Sequence, residues 1–356
     1  MPTILLLDGD GIGPEVHAQV RRLIGWAQAQ GLDLAVEEAL IGGVAIDAEG
    51  APVSDATVAL ARQADAIMFG AVGGPRWEGL PRPQRPEQGL LRLRRELGLF
   101  ANLRPARVWP GLEAVSPLRP ERATGTDLVF VRELTGGVYF AEPRGQSGTA
   151  PHRRALDTQA YSEAEIARVA HAAFRLARAR RRRLTSVEKA NVMETGQLWR
   201  AVVTDVAAAY PDVALAHMFA DNCAFQLVRA PAQFDVIVTD NLFGDLLSDL
   251  AGGVAGSLGL LPSASLGDGP DGRTPGLYEP VHGSAPDIAG TGRANPVAAL
   301  LSFAMALRHS LGAAGLADAL EAATGRALAG GARTPDLGGT MTTAQVTDAV
   351  LAALAR

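Results

Sequence analysis

The chain has 356 residues, of which 47% are hydrophobic and 20% charged, and its formal net charge is −5. This length exceeds what one hydrophobic core usually serves, so we expect two domains. The acidic balance argues against a nucleic-acid partner, and no apolar run approaches the roughly 18 residues of a membrane-spanning helix. Cys223 is the single cysteine, which excludes a disulfide framework. The N-terminus lacks signal-peptide features, so we expect a cytoplasmic location.

The first predicted element is a strand over residues 4–7, followed by a glycine-rich turn at residues 9–14 (GDGIGP) and a helix opening at Pro14. The dinucleotide-binding fingerprint requires glycine at its first, third and sixth positions, and the sixth position here is Pro14. The turn therefore does not predict a Rossmann fold. A tight turn beside a ligand remains an open interpretation.

Further strands and one long helix follow in chain order. Strands are predicted at 66–72, 128–134, 138–140, 213–219 and 235–239. The two around residues 135–137 are predicted to form an antiparallel hairpin. Residues 162–183 predict a helix, because Ser162 and Glu165 make a capping box. The arginines at 178 and 180–183 suit the negative end of the helix dipole better than a nucleic-acid patch. Alternating strands and helices indicate an α/β protein.

The basic residues are almost all arginine. Of the 33 Lys and Arg residues, Lys189 is the only lysine. Arginine stays protonated at any working pH, whereas a lysine with a lowered pKa can act as a base. A coding bias towards arginine is the alternative explanation. Asparagine is also scarce, and each one falls inside a segment discussed below: Asn102, Asn191, Asn222, Asn241 and Asn295.

Two carboxylates, Asp245 and Asp249, are spaced i and i+4 and would share one face of a helix. Like charges repel there unless a cation lies between them, and all-oxygen ligands favour magnesium or manganese. Asp221 is a candidate for a third ligand. The alternative is a pair of solvated acids near a helix N-terminus.

Three arginines lie beside apolar or turn segments: Arg94, Arg104 and Arg132. Bidentate guanidinium groups suit dicarboxylates, although each arginine alone is more often part of a structural ion pair. A glycine-bounded loop at residues 282–290 carries Asp287. A carboxylate at such a loop pairs with the ribose hydroxyls of NAD, whereas NADP requires a cation. A plain turn is the alternative for this loop.

Taken in order, these segments resemble the isocitrate/isopropylmalate dehydrogenase family of β-hydroxyacid oxidative decarboxylases. The resemblance is carried by residues 9–15, 89–105, 131–142, 186–195, 221–222, 241–249, 256–265 and 279–290 with Asn295. Residues 85–91 and 99–105 are most similar to the isopropylmalate branch. The resemblance implies an α/β fold that is not a Rossmann fold, with two domains and a shared mixed sheet. A nucleotide-side domain would comprise 1–99 and 256–356. Residues 100–255 would form the central substrate, metal and dimerisation domain.

The resemblance also implies an activity, the NAD-dependent oxidative decarboxylation of 3-isopropylmalate to 4-methyl-2-oxopentanoate and CO2 in leucine biosynthesis. The implied cofactors are NAD and Mg²⁺ or Mn²⁺, with K⁺ as a further candidate. The implied assembly is a homodimer whose active site is shared between subunits, acting on a small molecule. No nucleic acid or membrane partner is expected.

The same resemblance assigns residues to roles. The catalytic residues would be Tyr139 and Lys189. The substrate would contact Arg94, Arg104, Arg132 and Asp221, with Glu87, Leu90, Leu91 and Val192 around its alkyl branch. The cofactor would contact Ile12, Glu279, His282, Gly283, Ser284, Ala285, Asp287 and Asn295. The metal would be held by Asp245, Asp249 and Asp221. Asp221 and Lys189 would come from the partner subunit.

In the implied chemistry, Lys189 takes the proton of the substrate hydroxyl, and Tyr139 later donates one to carbon. A phenol with its ordinary pKa of ~10 is a reluctant donor, so we expect the cationic surroundings of Tyr139 to assist it. Three features depart from the family pattern. Asp8 and Asp240 would either tune metal affinity or be neutral, and residues 145–157 would be a surface excursion.

Three alternatives stay open. A sister enzyme would oxidise homoisocitrate, tartrate or D-malate with the same machinery, although Leu90 and Leu91 favour a substrate with an apolar branch. A magnesium-dependent hydrolase or phosphotransferase would use the aspartates alone and would not need NAD. A non-catalytic binding module would leave the sole lysine without a purpose.

Overall fold

The computed structural model describes residues 1–268 and 275–355, and the chain divides into two compact units. Unit 1 comprises Met1–Leu99, Arg107–Thr124 and Gly252–Arg356, and unit 2 comprises Phe100–Ala106 and Gly125–Ala251. The boundaries after residues 99 and 251 lie close to those expected after 99 and 255. The segment Arg107–Thr124 was expected in the central domain, but it lies in unit 1.

The regular elements alternate along the chain. The strands are β1 Thr3–Gly9, β2 Ala35–Glu38, β3 Ala66–Ala71, β4 Ala101–Arg107, β5 Asp127–Glu133, β6 Gly145–Ser147, β7 Arg154–Leu156, β8 Arg183–Glu188, β9 Ala214–Phe219, β10 Val236–Thr239, β11 Pro262–Leu266 and β12 Gly276–Pro280. The helices are α1 Gly13–Ala29, α2 Gly43–Glu49, α3 Asp55–Gln63, α4 Glu87–Glu96, α5 Pro120–Ala123, α6 Glu163–Ala179, α7 Glu194–Ala207, α8 Ala220–Arg229, α9 Asn241–Ala255, α10 Val297–His309, α11 Ala314–Ala329 and α12 Thr343–Leu354.

Unit 1 is built on strands in the order β2-β1-β3-β12-β11. The β1–β2, β1–β3 and β3–β12 pairs are parallel, and the β11–β12 pair is antiparallel. Helix α10 is buried from Val297 to Leu307 and packs against β11, β12, α1 and α11. A helix that is apolar on all sides belongs in the core of its domain. Within residues 1–268 and 275–355, no helix combines the length and the hydropathy needed to cross a membrane.

Unit 2 has the strand order β4-β5-β10-β8-β9, in which β5–β10, β10–β8 and β8–β9 are parallel. The carboxyl ends of these parallel strands therefore share one edge. The start of β4 lies at the same edge, because the backbone N–H of Leu134 donates to Phe100 O at 2.9 Å. Ligand sites of open α/β sheets form at such an edge.

The long predicted helix is confirmed as α6, with one correction at its end. Ser162 and Glu165 form the predicted capping box. The helix stops at Ala179 rather than at 183, since Arg182 has φ 58° and Arg183 already begins β8. Its arginines are structural, as predicted: Arg178 pairs with Asp212, and Arg180 and Arg181 pair with Asp235.

The predicted hairpin around residues 135–137 is wrong. The strand at 128–134 exists as β5, but Gly137–Tyr139 forms a single 3₁₀ turn instead of a second strand. The buried Glu133 carboxylate accepts from the N–H groups of Thr135 (3.0 Å) and Gly136 (2.8 Å). A side chain thus satisfies the backbone donors that a partner strand would have used.

The segment 145–157 is a surface excursion, as expected. Strands β6 and β7 pair antiparallel, and every residue of both strands is exposed.

Candidate active site

Asp245, in the second turn of α9, is the centre of a polar cluster in unit 2. Its Oδ1 accepts from Arg132 Nη1 and from Arg104 Nη1 (3.3 Å), and its Oδ2 accepts from the Tyr139 hydroxyl at 2.5 Å. Asp249, one helical turn later, accepts from the same Arg104 nitrogen at 3.1 Å. The predicted i, i+4 acid pair therefore lies on one face of the helix and shares a cation, which in this structure is a guanidinium group.

The electrostatic environment differs between the two acids. Burial works to raise the pKa of Asp245, but Arg132, Tyr139 and Arg104 outweigh it and lower that pKa below its usual value. For Asp249, burial raises the pKa despite the opposing effect of Arg104, and the charge of Asp245 adds to the rise. Asp245 is therefore the acid that stays ionised most readily.

Tyr139 corrects one expectation. Burial and the hydrogen bond to Asp245 raise the pKa of its phenol, and they outweigh the opposing charges of Arg132 and Arg104. Arg132 and Arg104 do lower the pKa of this phenol, as expected, but burial and the directly contacting Asp245 carboxylate have the larger effect, so the net shift is upward.

Lys189 follows β8 directly, and its Nζ donates to Asp221 Oδ1 at 2.7 Å. This contact lowers the pKa of Asp221, which lies just after β9. The Asp221 side chain is 70% exposed, so the ion pair faces outwards. Among residues 1–268 and 275–355, no three His, Cys, Asp or Glu side chains come together as a metal site. The single chain thus does not bring Asp221 together with Asp245 and Asp249.

Large apolar side chains are exposed near these polar residues. Val192 is 72% exposed, Phe225 59%, Val228 46% and Leu246 61%. Val192 follows Lys189 by three positions, Phe225 and Val228 lie on α8 after Asp221, and Leu246 is adjacent to Asp245. Val192, which was predicted to line the pocket for the alkyl branch, lies open to solvent in the single chain.

In unit 1, Arg94 and Glu279 are paired with each other. Arg94 Nη2 donates to Glu279 Oε1 at 2.6 Å, and both side chains are buried. Within the described part of the chain, the Arg94 Nε is buried without a hydrogen-bond partner. The other α4 residues predicted for the substrate share the helix face of Arg94 by their spacing: Glu87, Leu90 and Leu91.

A cavity of about 410 Å³ lies in unit 1 beside the glycine-rich turn. Four of the residues predicted for the cofactor line it: Ile12, His282, Ala285 and Asn295. Sequence reasoning missed three polar lining residues: Ser257, Arg293 and Asp336. Asp336 Oδ2 accepts from Asn295 Nδ2 at 3.0 Å and from Ser257 Oγ at 2.6 Å.

The glycine-rich turn explains how Ile12 reaches this cavity. Gly11 has φ +59°, and a Cβ added there would lie 2.0 Å from Ser284 O. The Ile12 N–H donates to that same oxygen at 2.8 Å. Gly283, Ser284 and Asp287 belong to the loop that follows His282. Among the predicted cofactor residues of this loop, His282 and Ala285 line the cavity.

The two unexpected acids are accounted for by local contacts. Asp8, in unit 1, is hydrogen-bonded to His17 Nδ1 at 2.8 Å and to Arg21 Nη2 at 3.0 Å. Asp240, in unit 2, caps α9 by accepting from the Phe243 N–H at 2.8 Å. Burial raises the pKa of Asp240 to about 6.

Sequence reasoning also missed three uncharged residues that contact the arginines of the polar cluster. Asn102 and Asn241 accept from Arg104 and Arg132, respectively, and Ser248 Oγ accepts from Arg104 Nη1 at 2.9 Å. Only the scarcity of asparagine in the sequence pointed to the first two.

Comparison with known proteins gives consistent matches over the whole chain. A family model for isocitrate/isopropylmalate dehydrogenase matches residues 3–350. A 3-isopropylmalate dehydrogenase of Caulobacter vibrioides is 58% identical over 356 residues, covering 99% of this chain and 100% of the relative. One of Ruegeria pomeroyi is 56% identical over 360 residues, with 99% and 98% covered.

Two similar solved structures are of dehydrogenases, as the sequence relatives are. An isocitrate dehydrogenase from Methylococcus capsulatus superimposes with a TM-score of 0.87 at 33% identity, covering 100% of both chains. A β-decarboxylating dehydrogenase from Thermococcus kodakarensis gives 0.80 at 35% identity, covering 100% of this chain and 96% of the other.

Proposed function

The chain belongs to the isocitrate/isopropylmalate dehydrogenase family. We propose that it catalyses the NAD-dependent oxidative decarboxylation of 3-isopropylmalate. The products are 4-methyl-2-oxopentanoate and CO2, and the reaction is a step of leucine biosynthesis. The substrate assignment follows the relatives of that name, which match nearly the full chain. The observation that carries the mechanism is the cluster in which Arg104 and Arg132 meet Asp245 and Asp249.

The donor set of this cluster suits a hard divalent cation. Asp245 and Asp249 offer only oxygen ligands, and their side chains are 30% and 55% exposed, so a metal ion can approach them. We assign Mg²⁺ or Mn²⁺ to these two acids together with Asp221 of the partner subunit. When bound, the metal lowers the pKa of the substrate hydroxyl and offsets negative charge that develops in the reaction.

The cavity of unit 1 is assigned to NAD, which accepts the hydride. Its lining combines apolar surface at Ile12 and Ala285 with polar groups at His282 and Asn295, as cofactor sites usually do. Asp287 lies in the same loop, where a carboxylate favours the free ribose hydroxyls of NAD over the phosphate of NADP.

The protein's own residues bind the substrate and move its protons. Arg104 and Arg132 are assigned to the malate carboxylates, and Arg94, whose buried Nε lacks a partner in the described residues, is assigned to them as well. Lys189 takes the proton of the hydroxyl group, and Tyr139 delivers a proton to carbon after CO2 leaves. Glu87, Leu90, Leu91 and Val192 are assigned to the alkyl branch.

The site as proposed requires two subunits. Val192, Phe225, Val228 and Leu246 are exposed apolar side chains, and each follows Lys189, Asp221 or Asp245 closely along the chain. Apolar surface of this kind is typical of a protein interface. A second copy covering it would bring its Lys189 and Asp221 to the Asp245 and Asp249 of the first. A cytoplasmic homodimer is therefore part of the proposal.

One assay tests the activity. Rates of NADH or NADPH formation are compared for 3-isopropylmalate, homoisocitrate, tartrate and D-malate, with Mg²⁺ or Mn²⁺ present. We expect the highest kcat/KM with 3-isopropylmalate and NAD. A preference for homoisocitrate would assign a sister activity and would contradict the role given to Leu90 and Leu91. No reduced cofactor with any malate would favour a magnesium-dependent hydrolase or phosphotransferase.

A further inference from the structure

We propose that Asn102 and Asn241 are positioning residues, each of which fixes the guanidinium plane of one substrate-binding arginine through an uncharged acceptor. The inference rests on the proposed function in one respect only, namely that Arg104 and Arg132 bind the substrate. Neither asparagine is among the residues that the family resemblance assigned to a role.

Both asparagines accept from an arginine Nε, and Asn241 Oδ1 also accepts from Arg132 Nη2 at 2.7 Å. Arg104 Nε donates to Asn102 Oδ1 at 2.9 Å, and Arg132 Nε donates to Asn241 Oδ1 at 2.9 Å. Asn102 is 0% exposed and Asn241 is 1% exposed, so both amides are held by their surroundings. A bond to Nε restricts rotation of the planar guanidinium group and directs its terminal nitrogens. In both residues Nη1 then points to Asp245.

Three other arginines of unit 2 are held at Nε by carboxylates. The Nε of Arg178 donates to Asp212, that of Arg180 to Asp235, and that of Arg200 to Glu188. A carboxylate at Nε both orients the guanidinium group and neutralises it. An amide oxygen orients the group at Nε without adding a negative charge there, although Nη1 of both Arg104 and Arg132 also contacts the Asp245 carboxylate. The two arginines that the function requires to bind carboxylates are thus held by amides.

Asn241 has a second contact that links it to the proton-transfer residue. Its Nδ2 donates to Gly136 O at 3.0 Å, and its backbone N–H donates to the Tyr161 hydroxyl at 2.9 Å. Gly136 leads directly into the 3₁₀ turn that carries Tyr139. Asn241 therefore couples the orientation of Arg132 to the position of Tyr139.

The test is a set of double-mutant cycles on the metal-loaded, full-length protein. Asn102→Ala and Asn241→Ala are each combined with Arg104→Lys and Arg132→Lys, because lysine has no Nε–H to be oriented. Equilibrium binding of 3-isopropylmalate, KM and kcat are measured for each variant. We expect each alanine to weaken substrate binding and raise KM by about 10-fold when its own arginine is present.

The matched and crossed pairs give opposite expectations. In the Arg104→Lys background, Asn102→Ala should cause little further rise in KM. In the Arg132→Lys background, its effect on KM should multiply with that of the lysine. The reverse should hold for Asn241→Ala. Asn241→Ala should also lower kcat, through Tyr139. An alanine effect that is equally large in both lysine backgrounds would overturn the proposal, since the asparagine would then not act through its arginine.

Two further variants test whether the asparagines act by orienting the arginines. One controls for a loss of stability, and the other for an added negative charge. Asp235→Ala removes a buried polar group at the opposite end of β10, and we expect it to lower Tm but leave KM unchanged. Asn102→Asp keeps the acceptor but adds a charge, and we expect it to weaken substrate binding at least as much as Asn102→Ala. Wild-type affinity in Asn102→Asp would contradict the requirement for an uncharged acceptor. An inactive wild type would instead refute the proposed function.

Discussion

Two clusters of arginine and aspartate lie at opposite ends of β10, and they differ in ways that separate structure from function. At the amino end, Asp235 is fully buried and accepts from Arg180 Nε and from the Arg181 N–H, both at 2.9 Å. At the carboxyl end, Asp245 and Asp249 are 30% and 55% exposed. The central acid of the amino-end cluster is thus closed to ligands, while the two acids of the carboxyl-end cluster keep oxygen ligands within reach of solvent.

The presence of charged residues alone therefore does not identify a functional site. Both clusters contain the same charged groups at hydrogen-bonding distance. What distinguishes the functional one is that its central acids are at least partly exposed and that amides hold the Nε of its arginines. Substitutions made in both clusters should therefore have different consequences.

The largest effect is expected from Lys189→Met. Removal of a general base typically costs about 10²–10⁴ in rate, so we expect kcat to fall by roughly 10³ while Tm stays near that of the wild type. Lys189→Arg is the control, because it keeps the positive charge but cannot be deprotonated. Near-normal turnover in Lys189→Arg would show that charge, not proton transfer, is what this position supplies.

The next effect contrasts the same substitution in the two clusters. Arg132→Lys removes the guanidinium group that contacts Asn241 and Asp245, and we expect kcat/KM to fall about 100-fold. Arg180→Lys, in the amino-end cluster, should lower Tm without changing KM. Equal losses of kcat/KM in both variants would remove the distinction between the clusters.

A smaller effect is expected from Asp249→Asn. Divalent-cation affinity depends on the number of charged oxygen ligands, so we expect the Mg²⁺ and Mn²⁺ dissociation constants to rise by about 10-fold or more. Calorimetric titration of the apo protein measures this directly. Asp235→Asn is the matched control and should leave metal binding unchanged. Unaltered affinity in Asp249→Asn would exclude Asp249 as a ligand.

The last effect concerns stability and pH, with no change in activity. Burial raises the pKa of Asp240 to about 6 from its ordinary value of 3.8. A raised pKa means that the folded state binds the proton of Asp240 more tightly than the unfolded state does. Proton binding therefore adds to the free energy of unfolding below about pH 3.8, and this contribution is lost as the pH rises through about 6. The full loss is on the order of 3 kcal/mol.

Asp240→Asn removes the titration while keeping an N-cap acceptor. The free energy of unfolding of this variant, minus that of the wild type, should therefore increase between pH 4 and pH 7.5. Denaturant unfolding at several pH values measures the difference. A difference that does not vary with pH would mean that Asp240 does not titrate as its burial implies.

The parts of the fold and site that the sequence predicted are those governed by local periodicity or spacing. The capping box of Ser162 and Glu165 depends on residues three positions apart, and the shared face of Asp245 and Asp249 depends on one helical turn. The solitary Lys189 was conspicuous in composition alone. Each of these signals is contained in a few neighbouring residues or in the amino-acid composition.

The parts that were missed depend on contacts between distant segments. The Arg94–Glu279 pair joins residues 185 positions apart, and the Asn241–Arg132 contact joins residues 109 apart. The hairpin prediction failed because Glu133 satisfies the backbone of its own turn, which alternating polarity does not reveal. The net rise in the Tyr139 pKa likewise follows from burial and from a hydrogen bond to Asp245, 106 residues away.

The most direct test is co-expression of two differently tagged chains, one carrying Lys189→Met and the other Asp249→Asn, followed by purification of the mixed dimer. If Lys189 serves the aspartates of the other subunit, one site receives both defects and the second site receives neither. At a metal concentration that saturates the wild type but lies below the raised dissociation constant of Asp249→Asn, the mixed dimer should then have about half of the wild-type activity, although each variant alone has little activity. A mixed dimer as inactive as its parents would contradict a shared active site, because each site would then hold one defective residue of its own chain.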